Sequence, residues 1–287
     1  MPDQTQIIRP MSPADLDFAL RLVTNESWGM TRLELERLLG FEPRGCFVAE
    51  CQGERTGIVM STSYGALAWI GNLMVEPARR GHGTGAALMR QAIEYLQKSG
   101  VETIRLDAEQ KAVPLYQRLG FVEEGRSLRF QTPGLHFALE NVDPMDASDL
   151  DAVLELDLAI FGADRSRVIR RAFEDVPGLA FVARAYGDVL GFIMARPAAI
   201  GGRIGPWICR PDELSQRRAK FLLRAVLNEF HRAPVSVGVL DNSSAGIDAL
   251  RHHGFRETPW SARMRLGPDA HRSDPQGELA IGSPPKG

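Results

Sequence analysis

The chain carries one pattern twice, 134 positions apart. Phe47-Val48-Ala49 returns as Phe181-Val182-Ala183, and Gly53, Gly57 and Met60 return as Gly187, Gly191 and Met194. Near the start of each copy, Pro10, Met11, Asp15, Leu16, Asp17, Leu20 and Leu22 fall on Pro144, Met145, Asp149, Leu150, Asp151, Leu154 and Leu156. Near the end, Ile70-Gly71, Pro77 and Gly120-Phe121 fall on Ile204-Gly205, Pro211 and Gly254-Phe255. One register held across so many segments, with no net insertion, is a tandem duplication, and each copy must be able to build the same fold. The seam lies near Pro133-Gly134, which predicts domains at 1–134 and 135–267. Residues 268–287, rich in Pro, Gly, Ser and charge, have no counterpart and are expected to be disordered.

Each copy reads as a mixed α/β unit. In the first, Ile7-Ile8 opens a short strand, and Ser12-Pro13 supplies an N-cap with proline at N1 for a helix carrying Leu16, Ala19, Leu20 and Val23. Leu33, Leu35, Leu38 and Leu39 mark a second helix. Cys46 to Cys51 and Ile58 to Ser63 read as strands joined at Gly53, and Leu67 to Val75 as a longer one. Thr84 to Lys98 has Leu88, Met89, Ala92, Ile93 and Leu96 at helical spacing, with Gly100 just past its end. Thr103 to Asp107 is another strand, Ala112 to Leu119 a short helix, and Phe121 opens the last strands.

Charge and cysteine content exclude several classes of function. Lys and Arg number 34 against 36 Asp and Glu, a net charge of -2, so no electrostatic footprint for nucleic acid exists. No apolar run reaches the ~20 residues that span a bilayer, and Met1 to Met11 is too polar for a signal peptide. Cys46, Cys51 and Cys209 match no zinc or redox spacing, so no metal is expected and a reducing cytoplasm is the natural compartment.

The most informative stretch is Val75-Glu-Pro-Ala-Arg79-Arg80-Gly81-His82-Gly83-Thr84-Gly85-Ala86, between a strand and a helix. Its glycines let backbone approach a ligand closely. N–H groups at a helix start attract anions, a pyrophosphate being the usual one, and Arg80 can add a charge-assisted contact. Gly81-x-Gly83-x-x-Ala86 formally matches the dinucleotide fingerprint. That fingerprint belongs directly after the first strand of a βαβ unit, whereas here three strands precede the turn and Pro77 to Arg80 separate it from the last of them. Dinucleotide binding is therefore the weaker reading, and the absence of Gly-Lys-[Ser/Thr] excludes a P-loop.

Arg80-x-x-Gly83-x-Gly85 resembles the [Gln/Arg]-x-x-Gly-x-[Gly/Ala] signature of the GNAT superfamily of acyl-CoA-dependent N-acyltransferases. The element order is similar to that fold, and Leu115-Tyr116-Gln117-Arg118-Leu119-Gly120-Phe121 resembles its Leu-Tyr-x-x-x-Gly-Phe segment. The duplicated layout, with Leu106-Asp107-Ala108 ahead of Pro114-Leu115-Tyr116 and Arg263-Met264-x-x-Gly267 near the end of the second copy, looks like the tandem-domain bacterial members. The resemblance implies two tandem GNAT-like α/β domains, each a mixed, mostly antiparallel sheet flanked by helices.

It also implies roles for particular residues. The backbone of Leu73, Met74 and Val75 would pair with the pantetheine arm of acetyl-CoA like an added strand. Arg80, Gly81, His82, Gly83, Thr84, Gly85 and Ala86 would take the pyrophosphate. Tyr116 would protonate the departing thiolate, a task that suits a phenol because it keeps its proton at neutral pH. Glu26 and Trp28 resemble the acceptor-side loop, and Tyr64 and Asn72 offer polar groups beside it. The strand from Leu67 to Val75 lacks the carboxylate many members use as base, so deprotonation is expected to run through water helped by Tyr64 or Glu26. Glu109 stands where members often carry Asn and receives no CoA role.

In the second copy Gly81, Gly83, Gly85 and Tyr116 become Ser215, Arg217, Ala219 and Leu250, so that copy is expected to have lost acyl-CoA chemistry and to serve as scaffold, acceptor-site wall or homodimer surface. The resulting expectation is acetyl transfer from acetyl-CoA to a small-molecule or peptide amine in the first domain. The alternative is a non-catalytic acyl-CoA sensor on the same fold.

Overall fold

A computed structural model describes residues 6–138, 142–271, 273–283, 285 and 287. The chain divides into two compact units, one holding the residues up to Glu123 with Met264–Asp269, the other holding Glu124–Arg263 with Ala270–Pro285.

In the first unit β1 (Gln6–Pro10) leads through a 3₁₀ turn, Pro13–Asp15, into α1 (Leu16–Asn25). Ser12 and Asp15 form a reciprocal cap, with the Ser12 N–H donating to Asp15 Oδ2 at 2.8 Å. Thr31 and Glu34 do the same for α2 (Arg32–Phe41), where the Thr31 N–H donates to Glu34 Oε2 at 2.9 Å. Then follow β2 (Phe47–Cys51), β3 (Glu54–Tyr64), β4 (Leu67–Val75), α3 (Thr84–Lys98), β5 (Thr103–Ala108) and α4 (Val113–Arg118). Strands β1 to β4 pair antiparallel in sequence order, and β5 joins β4 in parallel. The stripe Leu16, Ala19, Leu22 and Val23 of α1 packs with Leu35 and Leu38 of α2 and with Ile58, Met60 and Met74 of the sheet. Leu88, Met89, Ala92 and Leu96 of α3 are buried as that helix crosses β1 to β4. Each helix thus hides the face that its 3.6-residue period predicts.

The second unit repeats the plan. It comprises β6 (Val122–Thr132), β7 (Asp143–Pro144), α5 (Leu150–Phe161), α6 (Ser166–Asp175), β8 (Ala180–Ala185), β9 (Asp188–Pro197), β10 (Gly202–Cys209), α7 (Ser215–Glu229), β11 (Val235–Leu240), α8 (Ser244–His252), β12 (Arg256–Leu266) and β13 (Glu278–Ala280). Val153 and Leu156 of α5 pack with Val182, Phe192 and Met194, while Leu222, Leu223 and Val226 of α7 pack with Phe181, Ile193 and Trp207.

Two features depart from the sequence reading. The compact units are not the two copies cut at the seam. After Phe121 the first copy makes a single long strand, β6, and from Glu124 on that strand is counted in the second unit, where it pairs antiparallel with β11 from Val235↔Thr132 to Leu240↔Ser127. The last turn of β12, from Met264, is counted in the first unit, where the Thr103 hydroxyl donates to the Pro268 carbonyl at 2.8 Å and Arg105 pairs with Asp269 at 3.3 Å. A strand pairs with whichever edge offers it hydrogen bonds, so the end of the first copy can be placed by packing rather than by the repeat boundary.

Residues past Pro268, expected to be disordered, contain β13, which pairs antiparallel with β10. Leu279, Ala280 and Ile281 are each only 1% exposed. The Pro, Gly and Ser content that suggested disorder surrounds a short apolar core, Leu279-Ala280-Ile281, which is sufficient for one buried strand.

Candidate active site

The site is built at a fork in the first sheet. β4 pairs with β5 only over 67–69 against 103–105, the last pair being Trp69↔Arg105. On its other side β4 stays paired with β3, but the register shifts: Met60 faces Gly71 while Ile58 faces Met74. One extra residue on β4 is a β-bulge, and Asn72 within it has φ 52°, in the left-handed region that asparagine tolerates better than most residues. A bulge bends its strand and increases the local twist. Here it turns the second half of β4 away from β5 and leaves the β5-side edge of Leu73, Met74 and Val75 without a strand partner among the described residues, a place where an extended segment can add.

Beyond the fork, a 3₁₀ turn over Pro77–Arg79 leads to Arg80–Gly83 and the start of α3. Gly81 and Gly83 have φ 81° and 86°, and a Cβ built on either meets no atom within 4 Å. Both therefore serve backbone conformation rather than packing. Gly83 is the N-cap of α3 and offers no side chain to cap it, so the N–H groups of the first turn (Thr84, Gly85, Ala86) are those that an α-helix leaves without internal acceptors. With the helix dipole they form an anion cradle at the mouth of the fork. The Thr84 hydroxyl is held by Gln6 Oε1 at 3.3 Å, and His82 Nδ1 lies 2.9 Å from the Arg80 carbonyl.

Arg80, read from sequence as a phosphate contact, donates from Nε to the Val75 carbonyl at 3.0 Å and pairs through its other end with Glu26. Lys111 stands 3.8 Å from Glu26 and 2.9 Å from Glu109, and Glu109 accepts from Trp28 Nε1 at 3.1 Å. The α1–α2 loop, the β4–α3 turn and the β5–α4 connection are thereby laced together by two carboxylates, two cations and an indole. The hydrogen bond and charge of Glu109 raise the Lys111 pKa. Sequence reasoning found Glu26, Trp28 and Arg80, left Glu109 without a role and missed Lys111. Nothing in the spacing of Lys111 signals a partner 85 positions upstream in the α1–α2 loop.

Tyr116 lies on α4, 8% exposed, with its ring edge-on to Phe121 at 6.0 Å. Its hydroxyl has no hydrogen-bond partner among the described residues. Burial, seconded by the negative charge of Glu109, pushes the phenol well above its ordinary pKa of 10. It is an acid that stays protonated at any physiological pH.

The remaining sequence-predicted residues sit elsewhere. Asn72 is 6% exposed, with its amide nitrogen 3.5 Å from Met60 Sδ in the core under α1 and α2. What it visibly does is shape the bulge. Tyr64 ends β3 opposite Leu67 and packs edge-on against Trp69 at 5.9 Å, at the closed end of the fork where β4 and β5 are still paired. The structure therefore gathers Glu26, Trp28 and Arg80 into one network and leaves Tyr64 and Asn72 outside it. Among the described residues no group of three metal-ligating side chains occurs, and no helix is long and apolar enough to cross a membrane.

Comparison with known proteins gives a consistent assignment. Profiles described as "Acetyltransferase (GNAT) family" and "Acetyltransferase (GNAT) domain" match residues 15–121 and 153–277 respectively. The chain is 30% identical over 141 residues to an uncharacterized N-acetyltransferase of Methanocaldococcus jannaschii, covering 42% of this chain and 62% of that protein. It is 38% identical over 98 residues to the mycothiol acetyltransferase of Streptomyces avermitilis, covering 32% of each. The chain thus spans less than two thirds of the length of either relative. A putative acetyltransferase from Pyrococcus horikoshii has the same fold over 100% of this chain and 98% of its own, with a TM-score of 0.83 at 24% identity.

Proposed function

Because the chain belongs to the GNAT family of acetyltransferases, with a domain of that family in each half, we propose that its first unit transfers an acetyl group from acetyl-CoA to a primary amine on a small molecule or peptide. What supports this reading is the edge of Leu73, Met74 and Val75 beyond the end of the β4–β5 pairing, the glycine turn that opens α3, where a Cβ on Gly85 would lie 3.8 Å from Leu115 of α4, and the protonated phenol of Tyr116, next to Leu115 in sequence. The first would hold the pantetheine arm by main-chain hydrogen bonds, as an added strand does. The second would hold the pyrophosphate, with Arg80 turning from Glu26 to share its charge.

In the reaction the amine nitrogen forms a bond to the thioester carbonyl carbon and the carbon–sulfur bond breaks. The nitrogen gives up a proton, by way of water, and the departing sulfur receives one from the Tyr116 hydroxyl. The phenol carries its proton at neutral pH, can donate it as charge develops on sulfur, and regains one from water before the next turnover. Positioning of the two reactants along the fork supplies the rest of the acceleration. Glu26 and Trp28, on the loop facing Arg80 and Glu109, are assigned to the acceptor side.

The test is thiol release from acetyl-CoA by the purified full-length chain across a panel of amines, including amino acids, polyamines, aminoglycosides and lysine peptides. Acetyl-CoA binding with amine-dependent release supports the reading. Binding without release by any class of amine would favour a sensor, and absence of binding at millimolar acetyl-CoA would sink both.

A further inference from the structure

The second unit has kept the fork. β10 pairs with β11 in parallel only over 202–204 against 235–237, and its register against β9 shifts so that Ile204 faces Ala195 while Trp207 faces Ile193. That is the same one-residue bulge, at Gly205-Pro206 in place of Gly71-Asn72. By the 134-residue offset, Leu73, Met74 and Val75 become Trp207, Ile208 and Cys209. In this unit the open edge is already paired. Ala280 and Glu278 of β13 face Trp207 and Ile208, and the Cys209 N–H donates to the Gly277 carbonyl at 3.0 Å. Across the fork, the Ile281 N–H donates to the Gly238 carbonyl of β11 at 3.0 Å. The Ser243 hydroxyl, at the position equivalent to Glu109, donates to the Glu278 carbonyl at 2.8 Å.

The side chains around the groove fit a peptide backbone. A Cβ at Gly246 would lie 2.4 Å from the Leu279 carbonyl oxygen, and one at Gly238 would lie 2.9 Å from the Ile281 side chain. The first copy carries Ala112 and Ile104 at these positions. The second copy has thus been cut back where the segment passes. The anion cradle is gone as well, because Ser215, Arg217 and Ala219 replace the three glycines.

We infer that the groove of the second copy is a peptide site filled in cis by residues 277–283, which take the main-chain contacts that the acyl donor's arm would take in the first unit. The segment is an integral strand of the unit, and acetyl-CoA does not displace it. The docking contacts stand independently of the proposed activity, which serves only as the reference for the groove. One group in the segment opposes docking: both carboxyl oxygens of Glu278 are buried without a hydrogen-bond partner among the described residues, and burying an unpaired polar group costs free energy.

Hydrogen exchange of the full-length chain, followed by mass spectrometry, tests this without reference to turnover. Amides of 278–281 are expected to exchange as slowly as those of β10, with no change under saturating acetyl-CoA. Exchange at the rate of an unstructured peptide, or release of the segment by acetyl-CoA, would overturn the inference. Gly246→Ala, which drives a Cβ into the Leu279 carbonyl, is expected to speed exchange of the segment at least 100-fold while calorimetry still counts one acetyl-CoA per chain. A second acetyl-CoA in that variant would show a latent cofactor groove and overturn the peptide assignment. Should Gly246→Ala fail to fold, Glu278→Met gives the opposite readout: replacing the unpaired buried carboxyl by an apolar side chain of similar length is expected to slow exchange of the segment about tenfold, and faster exchange would count against it.

Discussion

Replacing Tyr116 by Phe removes one oxygen and tests the acid directly. The hydroxyl has no hydrogen-bond partner among the described residues, so its loss breaks no bond inside the protein. The ring keeps its edge-on contact with Phe121 at 6.0 Å. Stability should therefore stay within about 0.5 kcal/mol, a change in Tm of at most ~4 °C for a unit of this size. Turnover should fall by about 10²–10⁴, the usual contribution of a positioned acid, equivalent to ~2.7–5.5 kcal/mol of transition-state stabilisation. KM for acetyl-CoA should be unchanged, because the phenol acts on the leaving sulfur and not on the bound arm. The wild-type pH profile supplies a second check. A general acid works only while protonated, so its activity is lost as pH rises through its pKa. Burial and the charge of Glu109 place that point above 10, so kcat should show no basic limb from this group between pH 7 and 9. Steady-state thiol release at saturating substrates, with a thermal melt of the same samples, reads all of these quantities. A Phe variant within threefold of wild-type kcat would remove Tyr116 from the chemistry.

Three further predictions follow from named contacts. Gly83→Ala puts a Cβ on a residue at φ 86° and should cost about 1–2 kcal/mol in strain; calorimetry should find acetyl-CoA bound at least tenfold more weakly, and unchanged affinity would exclude this turn as the phosphate site. Asp15 is fully buried, and although burial alone would raise its pKa, hydrogen bonds from Arg9, Ser12 and Arg55 outweigh that and hold the carboxyl well below the usual range. A depressed carboxylate stabilises the fold above its unfolded pKa and loses that contribution as pH falls through the folded value. Asp15→Ala should therefore cost about 2 kcal/mol at pH 7, with half-exposed Arg9 and Arg55 left to rehydrate, and urea titrations should show the gap closing in acid. Burial pushes the thiols of Cys46 and Cys209 up to about 12, so iodoacetamide at pH 8 should leave both unmodified until the protein is unfolded.

Much of this architecture was legible before any coordinate. The duplication, the helix stripes of α1 and α3, the cap at Ser12 with proline after it, and the strand–turn–helix around Gly81–Gly85 all follow from residues close in sequence. Their physics (periodicity, capping, left-handed backbone) is local. Tyr116 and the glycine turn were likewise picked out because each sits inside a short, spaced motif. Lys111 was not, because its pairing depends on Glu26, which the α1–α2 loop brings to it, as well as on its near neighbour Glu109. Nor was the bulge at Asn72: a register shift is a property of two strands, and an asparagine in a strand does not announce it.

The sequence by itself therefore determined that two similar α/β copies exist, which of them keeps the glycine cradle and the phenol, and where the helices start. Only the tertiary structure decided that β6, the last strand of the first copy, pairs with β11 of the second, how far β4 and β5 stay together, and that residues 277–283 fill the second fork. The reason is common to all three. A strand satisfies its hydrogen bonds with a partner that can lie anywhere along the chain, and between near-equivalent edges the choice rests on packing among distant residues that no local pattern encodes.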